Sequence, residues 1–239
     1  MNLNFFKAAV LLFLCSLGQA HAFELFPIRL YVDASRNIAT LSVTNPTDRE
    51  ITLQPRVFNW KQESSANTAP VDKLTDATEF TIFPPIVQLK AGAKQTIRIR
   101  YNGEFDKNIE KAYRVITEEL VIKPVEGQIN YAKAISIALF IRSKVDAAPK
   151  LNWEVIKLDN GSMVLNFDNS ESDKHIQITG ITAGDTDNTA QQPVNQSLFV
   201  YVLPKSRGSI PLTLKLAAGQ HIIKLANDYK EFAQTINLK

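Results

Sequence analysis

Histidines, paired carboxylates and activated hydroxyls are the groups with which this chain could do chemistry, and their spacing argues against it. Of its three histidines, His21 lies in an N-terminal apolar stretch, while His175 and His221 stand far apart with no Cys or His at metal-ligand spacing. The sequence therefore predicts no metal site, and it assigns both histidines surface or sheet-edge positions. Glu118 and Glu119 are consecutive in a predicted strand, so they point to opposite faces and do not form a general acid/base dyad. Ser170, Ser172 and Ser206 lack the G-x-S-x-G elbow. Neither G-x-G-x-x-G nor G-x-x-x-x-G-K-[ST] occurs, which leaves no catalytic residue and no cofactor to nominate.

The more informative chemistry is that of a strand edge. From Gln128 to Ile141 the chain runs 14 residues in strand-like alternation, a reach of about 46 Å where strands commonly have about five or six residues. Ile135, Ile137, Leu139 and Ile141 share one face, and Ile129, Tyr131 and Lys133 extend it toward a loop. Two readings fit. In one, the stretch is a central core strand. In the other, it offers apolar side chains and backbone to a second polypeptide, turning an aggregation hazard into β-augmentation. Burying three such side chains would contribute about 4–9 kcal/mol before ordering costs.

Positioning that stretch are short alternating segments, among them Ala39–Val43, Ile51–Leu53, Val57–Trp60, Ile97–Tyr101 and Tyr113–Leu120, punctuated by Asn45-Pro46-Thr47-Asp48, Pro84-Pro85 and Ala91-Gly92. Arg98 and Arg100 fall on the solvated side of their strand. Ser143–Lys150 reads as a junction, after which strands resume at Trp153–Val155, Met163–Leu165, Ile176–Ile178, Leu198–Leu203, Ile210–Leu216, Ile222–Leu225 and Thr235–Leu238. The fold class is all-β. Two sandwiches are predicted, over residues 23–143 and 144–239.

Lys7 precedes the apolar run Ala8–Leu14, and Ala20-His21-Ala22 supplies a small-residue cleavage pattern. Residues 1–22 thus read as a secretory signal peptide, too short in its apolar part to cross a bilayer. Loss of Lys7 lowers the formal charge of +3 by one, and the remaining Lys and Arg are dispersed, so nothing calls for nucleic acid. Cys15 is the only cysteine and leaves with the signal, so packing alone must hold each domain.

At the residues just described the sequence resembles the periplasmic pilus-assembly chaperones, and within them the archaic branch. The resemblance is carried by Phe23–Leu30, Arg56–Trp60, Phe83–Leu89, Ala91–Arg98, Tyr113–Leu120 and Ile137–Ile141, and less distinctively by Met163–Asn169, His175–Ile178 and Tyr201–Pro204. It implies two immunoglobulin-like domains arranged in an L or boomerang. It also implies a non-catalytic function: binding pilus subunits in the periplasm by donor-strand complementation and delivering them to an outer-membrane usher. The implied donor strand carries Ile129, Tyr131, Lys133, Ile135, Ile137 and Leu139. Arg29 resembles the family's first-strand basic residue, which anchors the client's terminal carboxylate. Ala138 stands where the better-known branch has a donor-strand lysine, so either Lys133 compensates or the client is anchored differently. A secreted adhesin or structural pilus component is the alternative that sandwich composition alone would also allow.

Overall fold

The computed structural model describes residues 22–63, 69–121, 132–143, 149–185, 194–213, 219–228 and 232–238. The first sandwich contains β1 (Glu24–Phe26), β2 (Arg29–Val32), β3 (Ile38–Thr44), β4 (Ile51–Glu63), β5 (Val71–Asp76), β6 (Phe80–Phe83), β7 (Val87–Leu89), β8 (Lys94–Tyr101), β9 (Lys111–Glu119) and β10 (Ala134–Ile141). One sheet has the order β1-β3-β8-β6. The other runs β2-β10-β9-β4-β5, with β7 also paired to β4. The second sandwich contains β11 (Asn152–Lys157), β12 (Met163–Asp168), β13 (Ile176–Asp185), β14 (Val194–Val202), β15 (Arg207–Leu212), β16 (Gly219–Asn227) and β17 (Phe232–Leu238). Its sheets are β11-β12-β15 and β14-β13-β16-β17.

Period-two alternation builds each core. Leu41, Val43, Ile97, Ile99, Val115 and Leu139 meet between the first pair of sheets, and Leu165, Ile176, Ile178, Val202, Ile223 and Leu225 between the second. Arg98 and Arg100 are exposed, as their strand parity requires. Among the described residues, each sandwich also buries an asparagine that closes a turn. Asn45, just past β3, donates to the carbonyls of Arg49 and Leu89 at 2.8 and 3.1 Å. Asn169, just past β12, does the same for Lys174 and Leu203 at 2.8 and 2.9 Å. A buried amide of this kind satisfies carbonyls that no strand partner reaches.

A third apolar cluster joins the sandwiches. Trp60, Ala138 and Phe140 from the first pack on Tyr201 and Leu203 of the second. Strand β4, read from sequence as two short segments, is continuous and carries its end across the junction. There Gln62 donates to the Tyr201 carbonyl at 2.8 Å and accepts the Leu203 backbone N–H at 2.9 Å. The last strand of the first sandwich ends at Ile141 and the first strand of the second begins at Asn152.

Candidate functional site

The two sides of β10 are not equally occupied. All eight of its residues pair with antiparallel β9, from Ala134 opposite Glu118 to Ile141 opposite Lys111. Parallel β2 covers only Ala138–Ile141. Among the described residues, 134–137 therefore have a β partner on one side alone, and the Glu119 N–H to Lys133 carbonyl bond of 2.8 Å carries the ladder one step further. Glu119 is itself buried and ion-paired with Arg49, while Glu118 on the opposite face is half-buried, so the two carboxylates separate as strand parity predicts.

Burial follows this division. Ile137 and Leu139 are core residues of the first sandwich, Ile135 is half-buried against that core, and Ala134 and Ser136 are exposed. Lys133 is half-buried. Ile129 and Tyr131 lie outside the described residues. Depth along this alternating face is therefore a gradient, from half-buried Ile135 to buried Ile137 and Leu139.

Three adjacent strands place a cation on either side of Ala138. Arg29 of β2 and Arg114 of β9 are both its register partners. Strand parity turns Arg114 outward from the core toward the junction, where its guanidinium carbon lies 3.6 Å from the Trp60 ring centroid and 5.6 Å from that of Tyr201. Arg29 approaches Tyr201 to 5.9 Å from the other side and donates to Asp228 at 2.6 Å. Burial opposes the charge on Arg29, but the hydrogen bond to the Asp228 carboxylate, with the negative charge that Tyr31 and Tyr201 carry once ionised at strongly alkaline pH, more than offsets it and raises its pKa. For Arg114 burial prevails, and its pKa is lowered despite Asp72 at 3.6 Å. Burial likewise raises Tyr201, and it pushes Tyr31 up to about 12. Both phenols thus stay protonated at neutral pH.

Arg114 did not stand out in the sequence. Its signal is parity: in Tyr113–Glu119 the even positions Arg114, Ile116 and Glu118 share the face away from the core, so Arg114 belongs to the row that meets Ala138. Lys133 sits five residues up β10 from Ala138, about 16 Å away along an extended strand, and is not brought to the arginine pair.

The histidine expectations need correction. His175 is 1% exposed and His221 4% exposed, so neither has a surface or edge role. His221 lies on β16 between β13 and β17. His175 is at the junction, its ring parallel to Phe140 at a centroid distance of 3.6 Å and its Nδ1 against Glu110 of the first sandwich. Partners from the other sandwich supply the polar contact that makes this burial tolerable.

Residues 22–146, just over half of the chain, match the family of pili and flagellar-assembly chaperones through its PapD N-terminal domain. The chain belongs to that family. Among solved structures, the chaperone is similar to CsuC of Acinetobacter baumannii, described in a pre-assembly complex with the tip adhesion subunit of archaic chaperone-usher Csu pili. The identity is 21% and the TM-score 0.63, over 92% of this chain and 100% of that one. It is also similar to the Pseudomonas aeruginosa CupB2 chaperone, at 15% identity and TM-score 0.56 over 90% and 100% of the two chains. The E. coli chaperone DraB gives 20% identity and TM-score 0.57 over 89% and 96%. At these identities the likeness establishes the two-sandwich fold. No curated protein matches the chain in sequence.

Proposed function

We propose that this periplasmic chaperone holds a pilus subunit on the free side of β10, anchors the subunit's terminal carboxylate at Arg29 and Arg114, and passes it to an outer-membrane usher. Pilus assembly, rather than catalysis, is the work of the family to which the chain belongs. The observation that supports the finer reading is the coincidence of two cations around Ala138 with a strand edge at residues 134–137 that no other described strand pairs. Backbone N–H and C=O groups on that edge can take a client strand at about 0.5–1.5 kcal/mol net per bond.

In this reading the donor series Ile129, Tyr131, Lys133, Ile135, Ile137 and Leu139 acts in two parts. Ile137 and Leu139 root the strand in its own sandwich. Ile135 is the first member with surface left to give, and Ile129, Tyr131 and Lys133 continue the same parity. Arg114 takes the place of the absent donor-strand lysine, and the two arginines offer forked donors to one carboxylate. The domain limits proposed with this reading are 23–143 and 144–239, following a signal peptide at 1–22. Periplasmic co-expression with subunits encoded nearby, followed by crosslinking from position 135, tests it: a one-to-one complex linked through that position is expected. Equal subunit recovery with wild type and Ile135→Asn would overturn it.

A further inference from the structure

Strand β4 outruns the sheet that holds it. Its pairing with β9 ends at Asn59 opposite Tyr113, and among the described residues Trp60–Glu63 pair only with β5, from Leu74 to Val71. This two-stranded ribbon carries Gln62 to the second sandwich, where Nε2 donates to the Tyr201 carbonyl at 2.8 Å and Oε1 accepts the Leu203 N–H at 2.9 Å. A carbonyl and the N–H two residues on share one edge of a strand, and a residue of a parallel neighbour would bond to both. One side-chain amide takes that place here. The second Nε2 hydrogen reaches Asp72 Oδ1 at 3.2 Å, and Asp72 Oδ2 lies 3.6 Å from Arg114. Gln62 and Asp72 are register partners, so the ribbon itself aligns them.

The ribbon meets the second sandwich at another point. Pro70, next to β5, packs on Gly208 of β15: a Cβ at Gly208 would come within 2.8 Å of Pro70 Cδ and 2.9 Å of the Phe167 ring. Tyr201 belongs to β14 and Gly208 to β15, which lie in opposite sheets of that sandwich. One contact would leave a pivot; two contacts on different sheets remove it.

We propose that Gln62 and the Pro70–Gly208 contact are positioning elements, a two-point latch that sets the second sandwich on the β4–β5 ribbon and thereby places Tyr201 and Asp72 around Arg114 for capture of the client's carboxylate. The inference rests on the reading of Arg114 as part of the carboxylate anchor. With the amide gone, the Tyr201 carbonyl and the Leu203 N–H lose the partner that crosses the junction, and the end of β14 opens toward water. Asp72 loses a donor at the same time and turns more of its charge to Arg114, leaving less of that cation for a client.

The test uses the full mature chain. With residues 1–22 removed it has no cysteine, so Lys94→Cys and Lys157→Cys, at exposed positions on the two sandwiches, accept a single pair of spin labels. Pulsed electron paramagnetic resonance should give one narrow distance distribution in that background and a broader or shifted one after Gln62→Leu. Gln62→Asn, which keeps the amide but is one methylene short, should do the same. Gly208→Ala should also disturb the distribution, and less so when Pro70→Ala has removed Cδ, because the contact with Phe167 is internal to the second sandwich and is common to both backgrounds. A peptide from the C-terminus of a pilus subunit encoded beside the chaperone, with a free carboxylate, should bind Gln62→Leu about fivefold more weakly than wild type, and the amidated peptide should bind both equally. A distribution that neither Gln62 variant moves, or a Gly208→Ala effect of equal size in both Pro70 backgrounds, overturns the latch; the Gln62 variants decide alone if Gly208→Ala does not fold. Distances that move with an unchanged preference for the free carboxylate overturn the link to Arg114. Equal binding of both peptide forms by wild type instead removes the anchor, and the distances then still decide the latch.

Discussion

Strand β10 is enclosed at one end and open at the other. From Ala138 to Ile141 it is bonded on both sides and buried on both faces, the inward residues in the first core and Ala138 and Phe140 against the second sandwich. From Ala134 to Ser136, among the described residues, it is bonded to β9 alone, and its side chains are half-buried or exposed. The difference teaches that a strand is available for exchange only where its own fold leaves its burial unfinished. A strand open throughout would have no fixed register to present, and one enclosed throughout would have nothing to offer.

The largest expected effect lies at the enclosed end. Leu139 is 0% exposed, and Leu139→Asn both removes apolar volume and buries an amide, so a loss of about 3–5 kcal/mol is expected in urea unfolding. Subunit capture should fall in parallel with folding. A folded Leu139→Asn variant that has lost only capture would erase the division between the two ends.

At the open end stability and capture should separate. Ile135→Asn removes a half-buried side chain, and a change below about 1.5 kcal/mol in unfolding is expected, since the site is not sealed. Co-purified subunit should nevertheless drop at least about tenfold, a loss of ~1.4 kcal/mol or more in binding. Equal losses in both measurements would make Ile135 part of the root.

Much of this architecture was legible in the sequence. The parity that puts Ile135, Ile137 and Leu139 on one face, and Arg98 and Arg100 on a solvated one, is a local property of alternation. Their depth is not local. It depends on β2 reaching only Ala138–Ile141, after the chain leaves β1 in the other sheet between Phe26 and Arg29. His175 was misplaced for the same reason, because its partner Glu110 lies 65 positions away in the other sandwich. Arg114 looked like an ordinary strand arginine until Trp60 and Tyr201 enclosed it. Periodicity specifies which face a residue takes; the packing of distant elements decides what that face meets.

A smaller effect is expected at the cation beside the enclosed end. Arg114→Ala should weaken binding of a free-carboxylate subunit peptide about tenfold, a partly buried partner being lost, and should leave the amidated peptide unchanged. Arg29→Ala should act in the same direction. Its loss also releases Asp228, so its unfolding midpoint must be compared alongside. Equal affinity for both peptide forms in wild type would move the carboxylate anchor away from Ala138.

The smallest effect is expected one row up, beside the open end, where Arg56 is paired across β9 with Ile116, the partner of Ser136. Arg56 shares a sheet face with Arg114, and it too has an aromatic neighbour, Phe58 at 4.8 Å, and a carboxylate partner, Asp76 at 2.8 Å. The two arginines differ in surroundings. The Arg56 and Asp76 side chains are 46% and 71% exposed, so water screens the pair and holding two long side chains together costs entropy. Arg56→Ala should therefore change unfolding by less than about 0.5 kcal/mol and leave the affinity of the free-carboxylate peptide within about twofold. Raising the salt concentration should abolish even that residue of effect while reducing the Arg114 contribution only in part, because the packed junction admits less screening. A loss at Arg56 as large as that at Arg114 would place the client's charge over the open row, and the line between anchor and donor surface would have to be redrawn two residues toward Ala134.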